Sequence, residues 1–340
     1  MGIPITIVSG FLGAGKTTLI NHALAQSPFP KEEIIIIENE FGQTGVDHAL
    51  LLQTTERIIQ LNNGCMCCSL RGDLLASLSA ILEVYQEEQQ PIAQVILETT
   101  GIADPQPIIQ TILTTPHIKN HFYIDSLLTV VDGHHWQQQL QEAEAIKQLA
   151  LADRLFFSVK EPADSTQLPT FQETLRTINP FADILSFQAN EPLLASDFFQ
   201  LNKFTATLTE HEMTHSPHEH AHEHHHHTFH SLTLTASSAL NEPLFTRWLD
   251  WLMYTHQEKL YRFKGILALQ EHDLAIAMQG VNQQVAFQMT NQPPQETTIV
   301  LIGKELETKK NSRNLSNPQQ NSYSVNYFLR NGGPIYNGKN

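Results

Sequence analysis

Gly10-Phe11-Leu12-Gly13-Ala14-Gly15-Lys16-Thr17 is a G-x-x-x-x-G-K-T run, the spacing of a phosphate-binding loop. Glycine lets such a loop turn tightly and aim its backbone N–H groups at phosphate oxygens. In this pattern Lys16 reaches the β- and γ-phosphates and the Thr17 hydroxyl sits on Mg²⁺. The flanks agree with the motif. Ile3 to Val8 is a short apolar run, and Lys16 to Gln26 places Leu19, Ile20 and Ala23 on one helical face. Strand, glycine loop and helix follow one another in the order that the motif needs. The phosphate contacts expected are Gly10, Gly13, Ala14, Gly15, Lys16, Thr17 and Thr18.

The same alternation continues downstream. Glu33 to Glu38 holds four consecutive isoleucines, as in a strand buried on both faces of a parallel sheet. Ile92 to Leu97, Leu127 to Val131 and Leu155 to Phe157 repeat that character. Between them Leu74, Leu75, Leu78, Ile81 and Leu82, and then Ile146, Leu149 and Ala150, fall at helical spacing. The expectation is an α/β fold: a doubly wound, mostly parallel sheet of the P-loop NTPase type over residues 1–190. Residues 205–230 are rich in histidine and poor in apolar side chains, and read as a mobile linker. From 229 to 305 an alternating strand, an amphipathic helix through Leu244, Trp248, Trp251 and Leu252, and four further strand-like runs predict a second, smaller α+β domain. Residues 308–340 are polar and are expected to be a disordered tail.

Composition excludes some classes. A net charge of -15 is the wrong sign for a nucleic-acid surface, which needs clustered Lys and Arg. No apolar stretch approaches the ~20 residues of a membrane span, and the first residues do not read as a signal peptide. The expected compartment is the cytoplasm, with no membrane partner, and the chain is compatible with a homo-oligomer.

Val95-Ile96-Leu97-Glu98-Thr99-Thr100-Gly101 is a strand ending in a carboxylate, with glycine three residues on. Glu98 belongs near Mg²⁺, and Gly101 would let the backbone approach the γ-phosphate. Lys16, Thr17 and Glu98 are thus the expected catalytic set. Asn39 to Asp47 has the composition of a flexible active-site loop, and Leu128 to Gly133 reads as a structural strand end.

The three cysteines, Cys65, Cys67 and Cys68, lie within four residues. That crowding suits metal binding or redox work better than a disulfide framework. Thiolates suit Zn²⁺, Cu(I) and iron clusters, and a tetrahedral site needs four ligands. Glu38 and Glu40 are the carboxylates nearest in sequence. His218, His220, His222, His224, His225, His226 and His227 form a second metal feature, weaker because it must order a floppy segment. With pKa values near ~6.5 these imidazoles would release metal below neutrality.

Taken together, Gly10–Thr18, Glu38–Gly42, Gly64-Cys65-Met66-Cys67-Cys68, Glu98–Pro105 and Gln148–Arg154 resemble the CobW-type GTPases, relatives of the HypB and UreG metallochaperones. The resemblance spans almost the whole chain. It implies a Mg²⁺-dependent GTPase that binds a transition metal, most often zinc or cobalt, and delivers it to a client protein, with nucleotide state coupled to metal affinity. It marks Cys67 as the leading thiolate ligand. Two departures stand out. Where the family's guanine-reading N-K-x-D is expected, this chain has Ser158-Val159-Lys160-Glu161. Glu161 could accept the guanine edge, and Val159 replaces the base-stacking lysine unless Lys160 moves into that role. Gln43 also stands where members often carry Glu. A metal buffer or sensor with vestigial turnover, and a P-loop kinase of small molecules, are the alternatives.

Overall fold

The computed structural model describes residues 2–38, 57–60, 69–88, 91–205, 229–294, 296–306 and 323–324. Two compact units emerge, Met1–Leu175 with Ala182–Ala206, and Arg176–Phe181 with Thr207–Asn340. No helix among the described residues is long and apolar enough to cross a membrane.

In the first unit, β1 (Ile3–Gly10) leads through the glycine loop into α1 (Lys16–Ala25). Then come β2 (Ile34–Glu38), β3 (Arg57–Gln60), α2 (Ser69–Glu88), β4 (Gln94–Glu98), α3 (Gln106–Thr114) and α4 (Pro116–Lys119). β5 (Phe122–Asp132), α5 (Trp136–Gln139), α6 (Ala143–Leu151), β6 (Arg154–Ser158), α7 (Pro162–Ser165), α8 (Leu168–Ile178) and β7 (Asp183–Phe187) follow. The strands form one seven-stranded sheet in the order β3-β2-β4-β1-β5-β6-β7. Every pairing in it is parallel. A parallel sheet needs helical cover on both faces, which is why its strands are apolar at successive positions and not at alternate ones. All five residues of β2 are buried.

One face packs on α1. Leu19, Ile20, Ala23 and Leu24 meet Val8, Ile34, Ile36, Ile96, Leu128, Val130 and Phe156 in a single core. Each Val, Leu, Ile or Phe side chain so removed from water contributes roughly 1.5–3 kcal/mol. Phe198 and Phe199 join that core, so the segment beyond β7 belongs to this unit rather than to a linker.

The second unit is built on a six-stranded sheet. Its elements are β8 (Phe229–Ala236), α9 (Glu242–Thr255), β9 (Leu260–Leu267), β10 (Ile276–Val281), β11 (Gln284–Met289), β12 (Thr297–Lys304) and the two-residue β13 (Tyr323–Ser324). The order is β11-β10-β9-β12-β8-β13, antiparallel except between β13 and β8. The Asn241 side chain caps α9 by accepting the Leu244 N–H, and Pro243 sits in the first turn, where its missing N–H costs nothing. Phe245, Trp248, Leu249 and Leu252 press that helix onto one sheet face.

Candidate functional site

The loop between β1 and α1 has the conformation that its glycines allow. Gly10, Gly13 and Gly15 have φ of 139°, 74° and 106°. Gly10 is further fixed by its neighbour, since a Cβ there would lie 2.3 Å from the Val130 carbonyl oxygen. The Ala14 N–H closes a turn on the Phe11 carbonyl at 3.1 Å. The loop delivers the chain into α1, whose first N–H groups have no carbonyl partner within the helix and so favour an anion. Lys16 is 8% exposed, and its ammonium donates to the carbonyls of Gly10 (3.0 Å) and Phe11 (3.4 Å). Thr17 and the exposed Thr18 complete the first turn.

The Thr17 hydroxyl donates to Glu98 Oε1 at 3.0 Å. A hydroxyl at a helix start beside a carboxylate at a strand end is a hard oxygen pair, the donor chemistry that Mg²⁺ takes. Glu98 lies in register with Glu38 on β2, and Glu38 with Gln60 on β3. Glu38 is buried. Residues in register on parallel strands share a face, so these carboxylates stand side by side at the sheet's carboxyl edge. Gly101 lies against the phosphate loop itself: a Cβ there would be 2.3 Å from the Leu12 nitrogen.

Sequence spacing left the role of Lys160 open between two positions. Its ammonium donates to the Gly13 carbonyl and to Asp132 Oδ2, each at 2.9 Å. Lys160 therefore reaches the phosphate loop, and the buried Val159 does not compete for that place. Asp132, which reads as a structural strand end in the sequence, is the residue missed. Burial opposes its ionisation, but Lys160, the His135 ring and the His134 N–H outweigh that and hold its carboxyl below the ordinary range. Asp164 is stabilised in the same way. Burial again opposes charge, and the N–H groups of Glu161 and Lys160, with the His134 ring, bring its carboxyl down. Glu161 is exposed. The signal for Asp132 was only its place at the carboxyl end of a strand, the edge at which ligands bind in open α/β sheets.

A second set of contacts holds the loop after β4. Gln148 on α6 donates its side-chain amide to the carbonyls of Gly101 (3.3 Å) and Ala103 (3.0 Å). The Thr129 hydroxyl donates to the Gln148 carbonyl at 3.2 Å and bonds the Ser9 hydroxyl at 2.8 Å. Lys147 pairs with Asp104 at 2.9 Å. The start of the phosphate loop is thus tied to the Gly101 loop through β5 and α6.

Glu40, Cys65, Cys67, Cys68, Gln43 and the histidines His218, His220, His222, His224, His225, His226 and His227 lie outside the described residues. The cysteines fall between Gln60, the last residue of β3, and Ser69, the first of α2. Among the described residues no group of three or more His, Cys, Asp or Glu side chains could hold a metal ion.

Residues 4–186 match the model described as CobW/HypB/UreG, nucleotide-binding domain, and residues 229–317 match the cobalamin synthesis protein cobW C-terminal domain. The chain is 29% identical over 282 residues to the zinc chaperone YjiA of Escherichia coli K12, covering 83% of this chain and 86% of that one. It is 28% identical to the zinc chaperone CobW of Pseudomonas aeruginosa, over 90% and 88% of the two chains. The crystal structure of Zn(II)-bound YjiA GTPase from E. coli superposes with a TM-score of 0.73 at 25% identity, covering 90% of this chain and 95% of that one.

Proposed function

This chain belongs to the CobW/HypB/UreG family, and from that premise we propose that it is a GTP-hydrolysing zinc metallochaperone. It binds zinc as cargo and hands it to a client metalloprotein in the cytoplasm. The observation that carries the reading is the contact of Thr17 with Glu98 at 3.0 Å, with Glu38 in register beside Glu98. One carboxylate serves the triphosphate, and its neighbour stands on the strand that runs toward Glu40 and pairs with the strand before the cysteines.

Each residue has a part. Backbone N–H groups of Gly13 to Thr18 bind the β- and γ-phosphates, and Lys16 turns its ammonium from the loop's own carbonyls to the phosphoryl oxygens. Thr17 and Glu98 would hold Mg²⁺, which would supply positive charge to the triphosphate. Water attacks the γ-phosphorus as its bond to the bridging oxygen breaks, releasing GDP and inorganic phosphate, while Lys16 and the loop N–H groups stabilise the charge that builds on the equatorial oxygens. Lys160, fixed by Asp132 and bonded to Gly13, forms a wall of the nucleotide site, and Glu161 is the exposed carboxylate beside it. Zinc is held by Cys65, Cys67 and Cys68, with Glu38 and Glu40 as carboxylate candidates. The histidines from His218 to His227 collect metal more weakly.

Nucleotide state and zinc are coupled, by ~1–3 kcal/mol if the linkage is typical, and the effect is reciprocal. The test is to measure GTP affinity and turnover with and without stoichiometric Zn²⁺, alongside a Lys16→Ala variant. The expected result is a zinc-dependent change in GTP affinity of about 5-fold or more. The variant should lose hydrolysis while retaining zinc. Identical GTP affinity in both conditions would remove the coupling from this account.

A further inference from the structure

β11 stands at one end of the second unit's sheet. Among the described residues β10 is the strand paired with it, so its other edge offers backbone N–H and C=O groups to an incoming strand. Natural sheet edges usually discourage such pairing with lysine, proline or a bulge. β11 has none of these. It reads Gln-Val-Ala-Phe-Gln-Met, and from Leu274 to Gln295 the sequence holds no Asp, Glu, Lys, Arg or His. That neutrality belongs to a chain with a net charge of -15.

The side chains add a second observation. Val285, Phe287 and Met289 lie opposite Gly280, Met278 and Ile276 on β10. Met278 is part of the core under α9, and Ile276 and Val285 pack against it. By strand alternation, Phe287 and Met289 extend the same apolar face. The cover stops short of them: Phe287 is 52% exposed and Met289 62%.

We propose that β11 is the two-fold contact of a homodimer, in which two copies pair antiparallel edge to edge with Phe287 opposite the partner subunit's Phe287. In that register Val285 meets the partner subunit's Met289. All six side chains then stay on one face, and two exposed patches become one continuous apolar stripe whose side chains shield one another's flanks. A slip of one residue would set Phe287 against the partner subunit's Ala286 or the partner subunit's Gln288 and lose this match. The occupant is a second copy because β11 complements itself in both pattern and charge. Two chains this acidic repel each other, and that repulsion is least along a strand without charge. A strand of six residues buries less than the ~1,600 Å² of a standard interface, so the dimer depends on concentration. Pro293 and Pro294 limit the pairing beyond β11.

Sedimentation velocity of the full chain across a concentration series tests this. Wild type should pass from a 38.4 kDa monomer to a species of twice that mass. Phe287→Lys and Phe287→Glu each place like charges across the two-fold and should raise the dissociation constant at least ~10-fold. Mixing the two variants should restore the dimer as a mixed pair. Met289→Asp, at the more exposed position, should weaken the dimer even if the Phe287 variants fold poorly. A wild-type far-ultraviolet circular dichroism spectrum and a wild-type two-unit thermal unfolding profile report that each variant is folded. A wild-type monomer at every concentration, a dimer that survives these substitutions, or a mixture that stays monomeric would overturn the proposal.

Discussion

A methyl group added at Gly101 would sit 2.3 Å from the Leu12 nitrogen and 2.5 Å from its Cα, both backbone atoms that cannot step aside alone. Gly101→Ala should therefore displace the phosphate loop. A misplacement on the order of 1 Å costs about 10²-fold in rate, so kcat for GTP should fall by that factor in a steady-state assay. Lys160 is the second test at this scale. Lys160→Ala removes two charge-assisted contacts, to Gly13 and Asp132, and should weaken GTP binding about tenfold, or ~1.4 kcal/mol, by titration calorimetry. Equal affinities in wild type and variant would contradict the role given to Lys160. Its contact was not readable beforehand because the two residues are 147 positions apart. Local spacing favoured neither Val159 nor Lys160, and only the turn after β6 decides which side chain faces the loop.

At the scale of elements, legibility followed burial. β1, β2, β4 and β6 are mostly apolar because helices cover both faces of a parallel sheet, and each was visible in the sequence, whereas of β5 only Leu127 to Val131 was, since Asp125 and Ser126 interrupt its first half. β3 was not. Arg57-Ile58-Ile59-Gln60 carries two apolar residues on an outer strand, too short for any period to register. β7 escaped for the same reason, as an outer strand whose residues are mostly half-buried. The strand, glycine loop and helix around Lys16 were legible, since one motif spells them in consecutive residues. The tie from α6 was not, because a buried glutamine on a helix has no sequence signature. Gln148→Leu removes both donations to the Gly101 loop and should destabilise the first unit by ~1–3 kcal/mol in urea unfolding. It should also lower kcat more than it raises KM if, as proposed, the loop it steadies lies at the γ-phosphate.

Across the whole molecule the acid response follows from the buried carboxylates. Asp132 and Asp164 have folded pKa values below their unfolded value of about 3.9. Their contribution is complete above that value and is lost as pH falls through the lower folded values. Asp125 runs the other way. Burial raises its carboxyl despite donations from Asn202, Ser126 and Leu201, and Asp153 adds to the rise. The folded state takes that proton first, so stability attributable to Asp125 increases as pH drops toward 3.9 from above. Asp164→Asn should flatten the loss of stability below about pH 4, followed by circular dichroism. Asp125→Asn should leave that acid limb in place. An unchanged acid limb in Asp164→Asn would count against the hydrogen bonding described for that carboxylate.

β1 is the middle strand, with β4, β2 and β3 on one side and β5, β6 and β7 on the other. To free its amides, several neighbouring ladders must come apart, so deuterium should enter β1 more slowly than either outer strand, at the rate of global opening. A triphosphate seated where that strand ends thus draws on the cooperativity of the whole sheet. Bound at a hundred times its dissociation constant, it would lift the opening free energy by ~2.7 kcal/mol and slow exchange even in strands it never touches.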